Sequence, residues 1–340
     1  MTEFYKVLDG KPLTLDEAKA LMGRMMAGEL SQVQTAAALA ALKVRGETPE
    51  EIAGFARAMR EAATPVRVSG ELVDVVGTGG DGAGTFNIST TVAFVLAAAG
   101  LKVAKHGNRA ASSKSGSADV LEALGVNIEL APERVARVIE EVGIGFLFAR
   151  THHPAMRHVA PVRAELKTRT VFNVLGPLTN PARAQYFLLG VYSPDLQGPM
   201  TFALGELGVK GAWVVHSRGT DELTLGENEV VELKNGRTRR FTFNAADYGL
   251  EEAPLAALAG GAPAENAALA RRILAGEEQG PKRDVVALNA AAGLVAAGKA
   301  KDLAEGLQAA NRILDEGSAA EVLERLIDAS TNASPTRSSG

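Results

Sequence analysis

The 340-residue chain contains no cysteine. That excludes disulfides, thiolate metal centres and cysteine nucleophiles. It also lacks a one-signed charge: the formal net charge is only -4, which gives no footprint for nucleic acid or an anionic membrane surface. Local basic clusters must therefore be read as sites. No long hydrophobic run occurs; the apolar stretch 91–101 is too short to cross a bilayer. The first ten residues mix charged and polar groups and lack a signal-peptide core, so a cytoplasmic location is expected. What is present is ordinary for a globular protein: 46% hydrophobic and 22% charged residues, enough for a sizeable core and two packed units.

The order of patterns predicts those units. Thr14 with Glu17, Ser31 with Gln34, and Thr48 with Pro49 and Glu51 each mark a helix start, and the apolar residues that follow fall on one face. Strands are then expected at 72–76, 101–105, 145–148, 186–192 and 212–216. Helices between them are expected near 89–99, 117–124, 132–142, 154–166 and 200–207. Such alternation predicts a mostly parallel sheet flanked by helices. Asn235-Gly236, set between two alternating runs, predicts a hairpin. Helices return at 265–275, 284–297 and 302–316. The expected organisation is a small all-helical N-terminal domain, 1–65, which the helices near 154–180 are candidates to join. An α/β domain follows, 66–329, and then a disordered Ser/Thr-rich tail, 330–340. The crevice between the two units is the expected site.

The turn Gly77-Thr78-Gly79-Gly80-Asp81-Gly82 follows a strand and precedes a helix. Glycines let backbone N–H groups approach an anion, and the helix start adds free donors and a positive dipole end. The spacing of Gly77, Gly79 and Gly82 also satisfies G-x-G-x-x-G. A dinucleotide site, however, needs an acid at the end of the second strand. This chain carries Lys105-His106-Gly107-Asn108-Arg109 there, which suits phosphate better than a nicotinamide ribose. No G-x-x-x-x-G-K-[ST] P-loop occurs. The segment 105–117 supplies Lys, Arg and several hydroxyls at the same sheet edge, a set suited to a diphosphate. The plain alternatives are a capped strand-to-helix turn and a solvated loop.

Taken together, G-T-G-G-D at 77–81, N-I-S-T at 87–90, K-H-G-N-R at 105–109, H-H-P-A-M-R-H at 152–158, R-T-V-F-N-V-L-G-P-L-T-N-P at 169–181, D-E at 221–222 and R-D-V-V-A-L-N-A at 283–290 resemble the anthranilate phosphoribosyltransferase family. The resemblance runs from the N-terminal helices to about residue 326. It implies a fold like that of class II nucleoside phosphorylases. It also implies transfer of ribose 5-phosphate from phosphoribosyl diphosphate to the amino group of anthranilate, with release of diphosphate, in tryptophan biosynthesis. Mg²⁺, expected as two ions, and a homodimer formed through the helical domain come with it; nucleic-acid and membrane partners do not.

By the same resemblance, Gly77, Gly80, Asp81, Thr85, Asn87, Ile88, Ser89, Thr90, Lys105, His106, Gly107, Asn108, Arg109, Ala110, Ala111, Ser112, Ser113 and Ser117 bind phosphoribosyl diphosphate. Gly77, Asn108 and Arg163 meet anthranilate, Arg163 through its guanidinium fork on the carboxylate. Ser89, Asp221 and Glu222 hold the metal, since Mg²⁺ takes hard oxygen ligands and completes its shell with diphosphate and water. Pro177 and His152-His153-Pro154 shape the acceptor's access. No residue is assigned as an acid–base catalyst; Lys105, Asn108 and Arg163 act by charge and position. The four histidines 106, 152, 153 and 158 are not expected to bind zinc. The rival readings are a pyrimidine nucleoside phosphorylase and a non-catalytic nucleic-acid-binding relative.

Overall fold

The computed structural model describes residues 1–110 and 114–332. Four helices come first: α1 (Thr2–Leu8), α2 (Leu15–Ala27), α3 (Gln32–Arg45) and α4 (Pro49–Ala62). The last three begin where the capping boxes predict. The hydroxyls of Thr14, Ser31 and Thr48 accept from the N–H groups of Glu17, Gln34 and Glu51 at 3.3, 3.2 and 3.3 Å, and those side chains return the bond. Helix α1, which carries no such signal, was not anticipated; it is held by buried Phe4 and Val7. Glu51 does more than cap. It is fully buried, pairs with Arg45 and accepts from Leu13 N–H at 2.8 Å, so it ties α3 and α4 to the start of α2. Loss of the cap in Thr48→Ala should destabilise the protein by about 1 kcal/mol; urea unfolding checks this, and an unchanged midpoint would refute it.

Strands and helices then alternate: β1 (Leu72–Gly77), α5 (Ile88–Ala98), β2 (Lys102–Gly107), α6 (Ser117–Ala123), α7 (Pro132–Val142) and β3 (Ile144–Phe148). Short helices α8 (Ala149–His152), α9 (Ala160–Leu166) and α10 (Phe172–Leu175) lead to β4 (Tyr186–Gly190), α11 (Gln197–Glu206), β5 (Gly211–His216) and the hairpin β6 (Glu227–Lys234) and β7 (Arg237–Asn244). Helices α12 (Pro263–Leu274), α13 (Pro281–Ala296), α14 (Leu303–Asp315) and α15 (Ser318–Thr331) close the described chain.

Two expectations need correction. Residues 154–166 do not form one helix: a 3₁₀ turn, Pro154–His158, is separated from α9 at Val159. The cause is Pro161, which cannot donate to the turn before it and whose ring would strike the Arg157 carbonyl in a continuous helix. The tail does not begin at Ser330, because Ser330 and Thr331 belong to α15 and both hydroxyls donate to the Ile327 carbonyl, at 3.0 and 2.8 Å. Residues 333–340, the rest of the expected tail, lie outside the described residues.

Among the described residues the seven strands form one sheet in the order β3-β2-β1-β4-β5-β6-β7. The first five are parallel and the hairpin adds two antiparallel strands. Alternation along each strand feeds two cores. Val73, Val75, Leu188 and Trp213 face α5 and α13–α15; Leu72, Ala104, Phe187 and Val214 face α4, α7 and α11. The segment after β3 packs on the N-terminal helices: Pro154–His158 on α2, α9 on α3, and α10 on α4. The fold is therefore a small helical unit and an α/β unit with a mostly parallel sheet. Because β1, β2, β4 and β5 run the same way, the turns that leave their C-terminal ends gather at one edge.

Candidate active site

At that edge the glycine-rich turn meets the acidic pair. Gly77 ends β1 where an added Cβ would collide with Asp221 Oδ2, so only glycine lets the two segments approach this closely. Gly79 N–H donates to Asp221 Oδ2 at 2.7 Å. Asp81 Oδ1 accepts from Ala83 N–H at 3.1 Å, and Oδ2 accepts from the Thr220 hydroxyl at 2.7 Å. Asp81 thus folds its own turn and fastens it to the segment after β5. Glu222 Oε1 accepts from Ser89 N–H, at the start of α5, at 3.1 Å. The D-E pair, 140 residues from the turn, is brought to it by strand order alone.

The helix start is ordered rather than open. Asn87 Nδ2 donates to the Ser115 carbonyl at 3.1 Å, and its Oδ1 accepts from Asn266 Nδ2 at 2.9 Å. Thr85 forms an isolated bridge with Ala259. Ile88 and Thr90 are buried, Ile88 with its side chain in the sheet core, so its backbone alone is available to a ligand. Ser89 is half-buried at the start of α5.

The basic segment differs from a plain cationic loop. Lys105, His106 and Gly107 belong to β2. Lys105 is 3% exposed and its ammonium donates to the Val75 carbonyl at 2.6 Å. Burial lowers its pKa, while Asp74, Glu222 and Asp221 act to hold its charge. Arg109 is engaged elsewhere: its guanidinium pairs with Asp119 at 3.1 Å and Glu122 at 2.8 Å on α6. Asp119 also accepts from the N–H groups of Ala110 and Gly116, both at 2.9 Å, and so pins the two ends of the loop. Ser117 donates to the Asn108 carbonyl at 3.3 Å, beneath Gly107, whose Cβ would strike the Ser117 hydroxyl. Asn108 is exposed. Ala111, Ser112 and Ser113 lie outside the described residues.

A second group of expected residues sits beside this edge. His106 Nδ1 is 3.2 Å from the Gly176 carbonyl and its Nε2 is 3.3 Å from His153 Nε2. Burial, with the neighbouring histidines, holds its pKa well below the usual imidazole value, so the ring is neutral. Gly176 precedes Pro177, which is buried. On the same segment, Phe172 lies under the Arg163 guanidinium, 5.2 Å from its centroid. Arg163 is half-buried and has no carboxylate partner among the described residues. It is a cation placed in a partly apolar setting without a counter-ion, which suits an incoming carboxylate.

Asp221 and Glu222 are half-buried at this sheet edge. Desolvation, first, and repulsion between neighbouring acids raise both pKa values; for Glu222 the rise is from 4.5 to about 8, with Asp221 as the next cause and Lys105 opposing. Asp81, Asp221 and Glu222 therefore form a group of mutually repelling carboxylates, with Lys105 opposing the repulsion at Glu222. That arrangement fits a divalent cation. Among the described residues no group of three His, Asp or Glu side chains alone forms a metal cage, so oxygens of a ligand would have to complete the shell. A pH dependence follows. Folded-state pKa values above the unfolded ones mean that the unfolded chain loses these protons first. The metal-free protein should therefore lose stability as pH rises from the usual carboxylate range towards about 8. Mg²⁺ with diphosphate should raise Tm more at about pH 8 than at about pH 6, since it binds the ionised acids. A larger rise at the lower pH would contradict the assignment.

Several residues here were not singled out from the sequence. Asn289, in the 283–290 motif, brackets Leu223 with bonds of 3.1 and 3.0 Å and so fixes the chain just after Glu222. Arg169 stacks on Tyr192 at 4.0 Å and donates to the Gly80 carbonyl; a Cβ at Gly80, where φ is +72°, would collide with it. Thr220, Asn266 and Asp119 act as described above. Asp74 had one legible signal, a charge in the middle of the apolar strand L-V-D-V-V.

Residues 4–63 match the helical bundle domain of the glycosyl transferase family, and residues 69–320 match its α/β domain. The chain is 60% identical over 301 residues to a curated anthranilate phosphoribosyltransferase of Thermus thermophilus, covering 88% of this chain and 90% of that one. A crystal structure of anthranilate phosphoribosyltransferase from Thermus thermophilus superposes with a TM-score of 0.93 at 57% identity, covering 97% of this chain and 99% of that chain. The Saccharomyces cerevisiae enzyme in complex with PRPP and Mg superposes with a TM-score of 0.88 at 28% identity, over 96% of both chains. In complex with 4-fluoroanthranilate it does so with 0.86 at 27% identity, again over 96% of both.

Proposed function

This chain belongs to the anthranilate phosphoribosyltransferase family, and we propose from that premise how its cleft divides the work of the family's reaction. The enzyme transfers the 5-phosphoribosyl group of phosphoribosyl diphosphate to the amino group of anthranilate, with diphosphate as leaving group, in tryptophan biosynthesis. One observation carries the assignment of the site. The glycine turn is bonded to the Asp221–Glu222 segment, and the 172–177 segment carries both Phe172, under the Arg163 guanidinium, and Gly176, whose carbonyl meets His106 at the end of β2.

On the donor side, the backbone of Gly77, Gly80 and Ile88 and the side chains of Thr85, Asn87, Ser89 and Thr90 receive phosphate oxygens and ribose hydroxyls. Lys105 to Ala110 and Ser117 form the opposite wall, with Arg109 orienting that wall through α6; Ala111, Ser112 and Ser113 are proposed as donor-binding residues from the resemblance alone. Asp81 keeps the turn in register with Thr220. Asp221, Glu222 and the Ser89 hydroxyl would hold Mg²⁺. Two ions are proposed, because three carboxylates and a diphosphate exceed the charge of one. When bound, Mg²⁺ offsets the charge that develops on the leaving diphosphate.

On the acceptor side, Arg163 takes the anthranilate carboxylate as a bidentate partner, and Gly77 and Asn108 lie near the amine. Neutral His106 spends its one N–H on the Gly176 carbonyl and meets His153 with its other nitrogen, so it orders the turn before Pro177 instead of donating to anthranilate. An aromatic amine is already unprotonated near neutral pH, so its attack on the anomeric carbon needs no strong base. The amine proton then leaves to solvent or to the released diphosphate. Catalysis is positioning and electrostatics.

The helical unit is proposed to comprise 1–65 together with the 154–178 segment that packs on it. Homodimer formation through this unit is supported by its exposed apolar side chains, Tyr5, Leu8, Val33 and Val44. No helix among the described residues is long and apolar enough to cross a membrane; a cytoplasmic location is proposed from the biosynthetic enzymes that the chain resembles. The reading is tested by incubating the protein with phosphoribosyl diphosphate, anthranilate and Mg²⁺. N-(5-phosphoribosyl)anthranilate and diphosphate should appear in equal amounts. Turnover of a pyrimidine nucleoside with inorganic phosphate instead would overturn it.

A further inference from the structure

The ladder between β1 and β2 is short. It pairs Leu72 with Lys102 and Val73 with Val103, and no pairing continues beyond. On either side the ladders run to the strand ends, β2–β3 to Gly107–Phe148 and β1–β4 to Gly77–Gly190. The sheet therefore opens between β1 and β2 just where the glycine turn and the Lys105–Asn108 segment leave it. The backbone groups exposed by this opening are met by side chains. Asp74 Oδ1 accepts from His106 N–H at 3.2 Å. Lys105 donates to the Val75 carbonyl at 2.6 Å. Asn180 Nδ2 spans the gap, donating to Asp74 Oδ2 at 2.7 Å and to the Ala104 carbonyl at 2.8 Å.

Asp74 and Asn180 are fully buried. An ordinary pair of parallel strands would satisfy these backbone groups without any charge, and a buried carboxylate is a poor source of stability. Its distinct effect is geometric. It spaces two strands whose ends carry the donor site, and it joins them to the 176–181 segment that flanks the acceptor side. Arg60 from α4 donates to the Leu178 carbonyl at 2.6 Å, so the helical unit reaches the same node. The negative charge of Asp74 also acts on Lys105, which otherwise feels only Asp221 and Glu222.

We propose that Asp74 is a positioning residue for the transfer reaction: held by Asn180, it keeps β1 and β2 apart and sets Lys105 and the His106–Asn108 backbone against the Asp221–Glu222 pair. This rests on the function proposed above. Loss of the charge leaves the Lys105 ammonium to the metal-binding acids and lets the gap close, so the damage falls on the donor and its metal rather than on anthranilate.

The test compares wild type with Asp74→Asn and Asn180→Ala by steady-state kinetics, Mg²⁺ titration and thermal unfolding. In Asp74→Asn, kcat/KM for phosphoribosyl diphosphate should fall about 10- to 100-fold and half-maximal Mg²⁺ should rise, as for other groups that orient metal-binding residues. The anthranilate KM should stay within about threefold of wild type, less than the loss of a direct charged contact. Asn180→Ala, which keeps the charge, should show the same split at smaller size, and it decides the matter if Asp74→Asn does not fold. Unchanged donor and Mg²⁺ parameters in a folded variant would overturn the proposal. So would equal losses for both substrates accompanied by a lowered Tm, which mark a merely structural role. A wild-type protein without transferase activity would instead remove the reading of the site itself.

Discussion

Asp221→Asn combined with Glu222→Gln is expected to lower Mg²⁺-dependent kcat/KM for phosphoribosyl diphosphate by at least about 100-fold, since metal stabilisation of a leaving group is worth several kcal/mol. The same change should not lower the Tm of the metal-free protein. Both acids sit where desolvation and neighbouring charge disfavour their ionised forms, and neutral amides of the same shape carry no such burden. Gly79 and Ser89 N–H groups keep an acceptor in either amide. Lost activity with retained stability separates a metal site from a structural ion cluster. Undiminished turnover at limiting Mg²⁺ would refute it.

Arg163→Ala is expected to act on the other substrate. A charge-assisted contact is worth roughly 1.5–3 kcal/mol, so the anthranilate KM should rise about 10- to 150-fold, with little change in the KM for phosphoribosyl diphosphate. Arg163 has no acidic partner to abandon, and burial already disfavours its charge; stability should therefore hold. Arg163→Lys keeps the charge and loses the fork, and it should fall between wild type and the alanine variant. An unchanged anthranilate KM in Arg163→Ala would remove Arg163 from the acceptor site.

Much of the architecture is written locally. Helix starts at Thr14, Ser31 and Thr48 depend on a hydroxyl and a partner three residues on, so they can be read directly. The Asn235-Gly236 turn is equally local, with both residues at positive φ. Strands β1 to β5 are legible as short apolar runs because both faces of the sheet are covered. Helix α15 carries a readable stripe, Ala319, Val322, Leu323 and Leu326, masked by the Ser/Thr-rich residues that follow it. The break at Val159 was also readable from Pro161.

The site is legible in composition but less so in wiring. That Gly77 and Asp221 touch follows from parallel strands sharing an edge. That Arg109 turns to Asp119 and Glu122 does not, because it depends on how a loop folds back over α6. Lys105, expected at the end of a strand as a cation for phosphate, is buried, and its charge answers to three acids that the sequence does not place near it. The opening between β1 and β2 has no sequence signature except Asp74 itself, and its meaning needs Asn180, more than a hundred residues away. Long-range polar contacts of this kind are specified by the whole fold, whereas caps and turns are specified by their neighbours.

The central claim is that the glycine turn, the acidic pair and Arg163 form one site for a phosphoribosyl donor, Mg²⁺ and an aromatic acid. The most direct test follows anthranilate fluorescence in the presence of the protein. The fluorescence should fall only when phosphoribosyl diphosphate and Mg²⁺ are both present, with one diphosphate released for each anthranilate consumed. A folded protein that leaves the fluorescence constant with both present would contradict the claim.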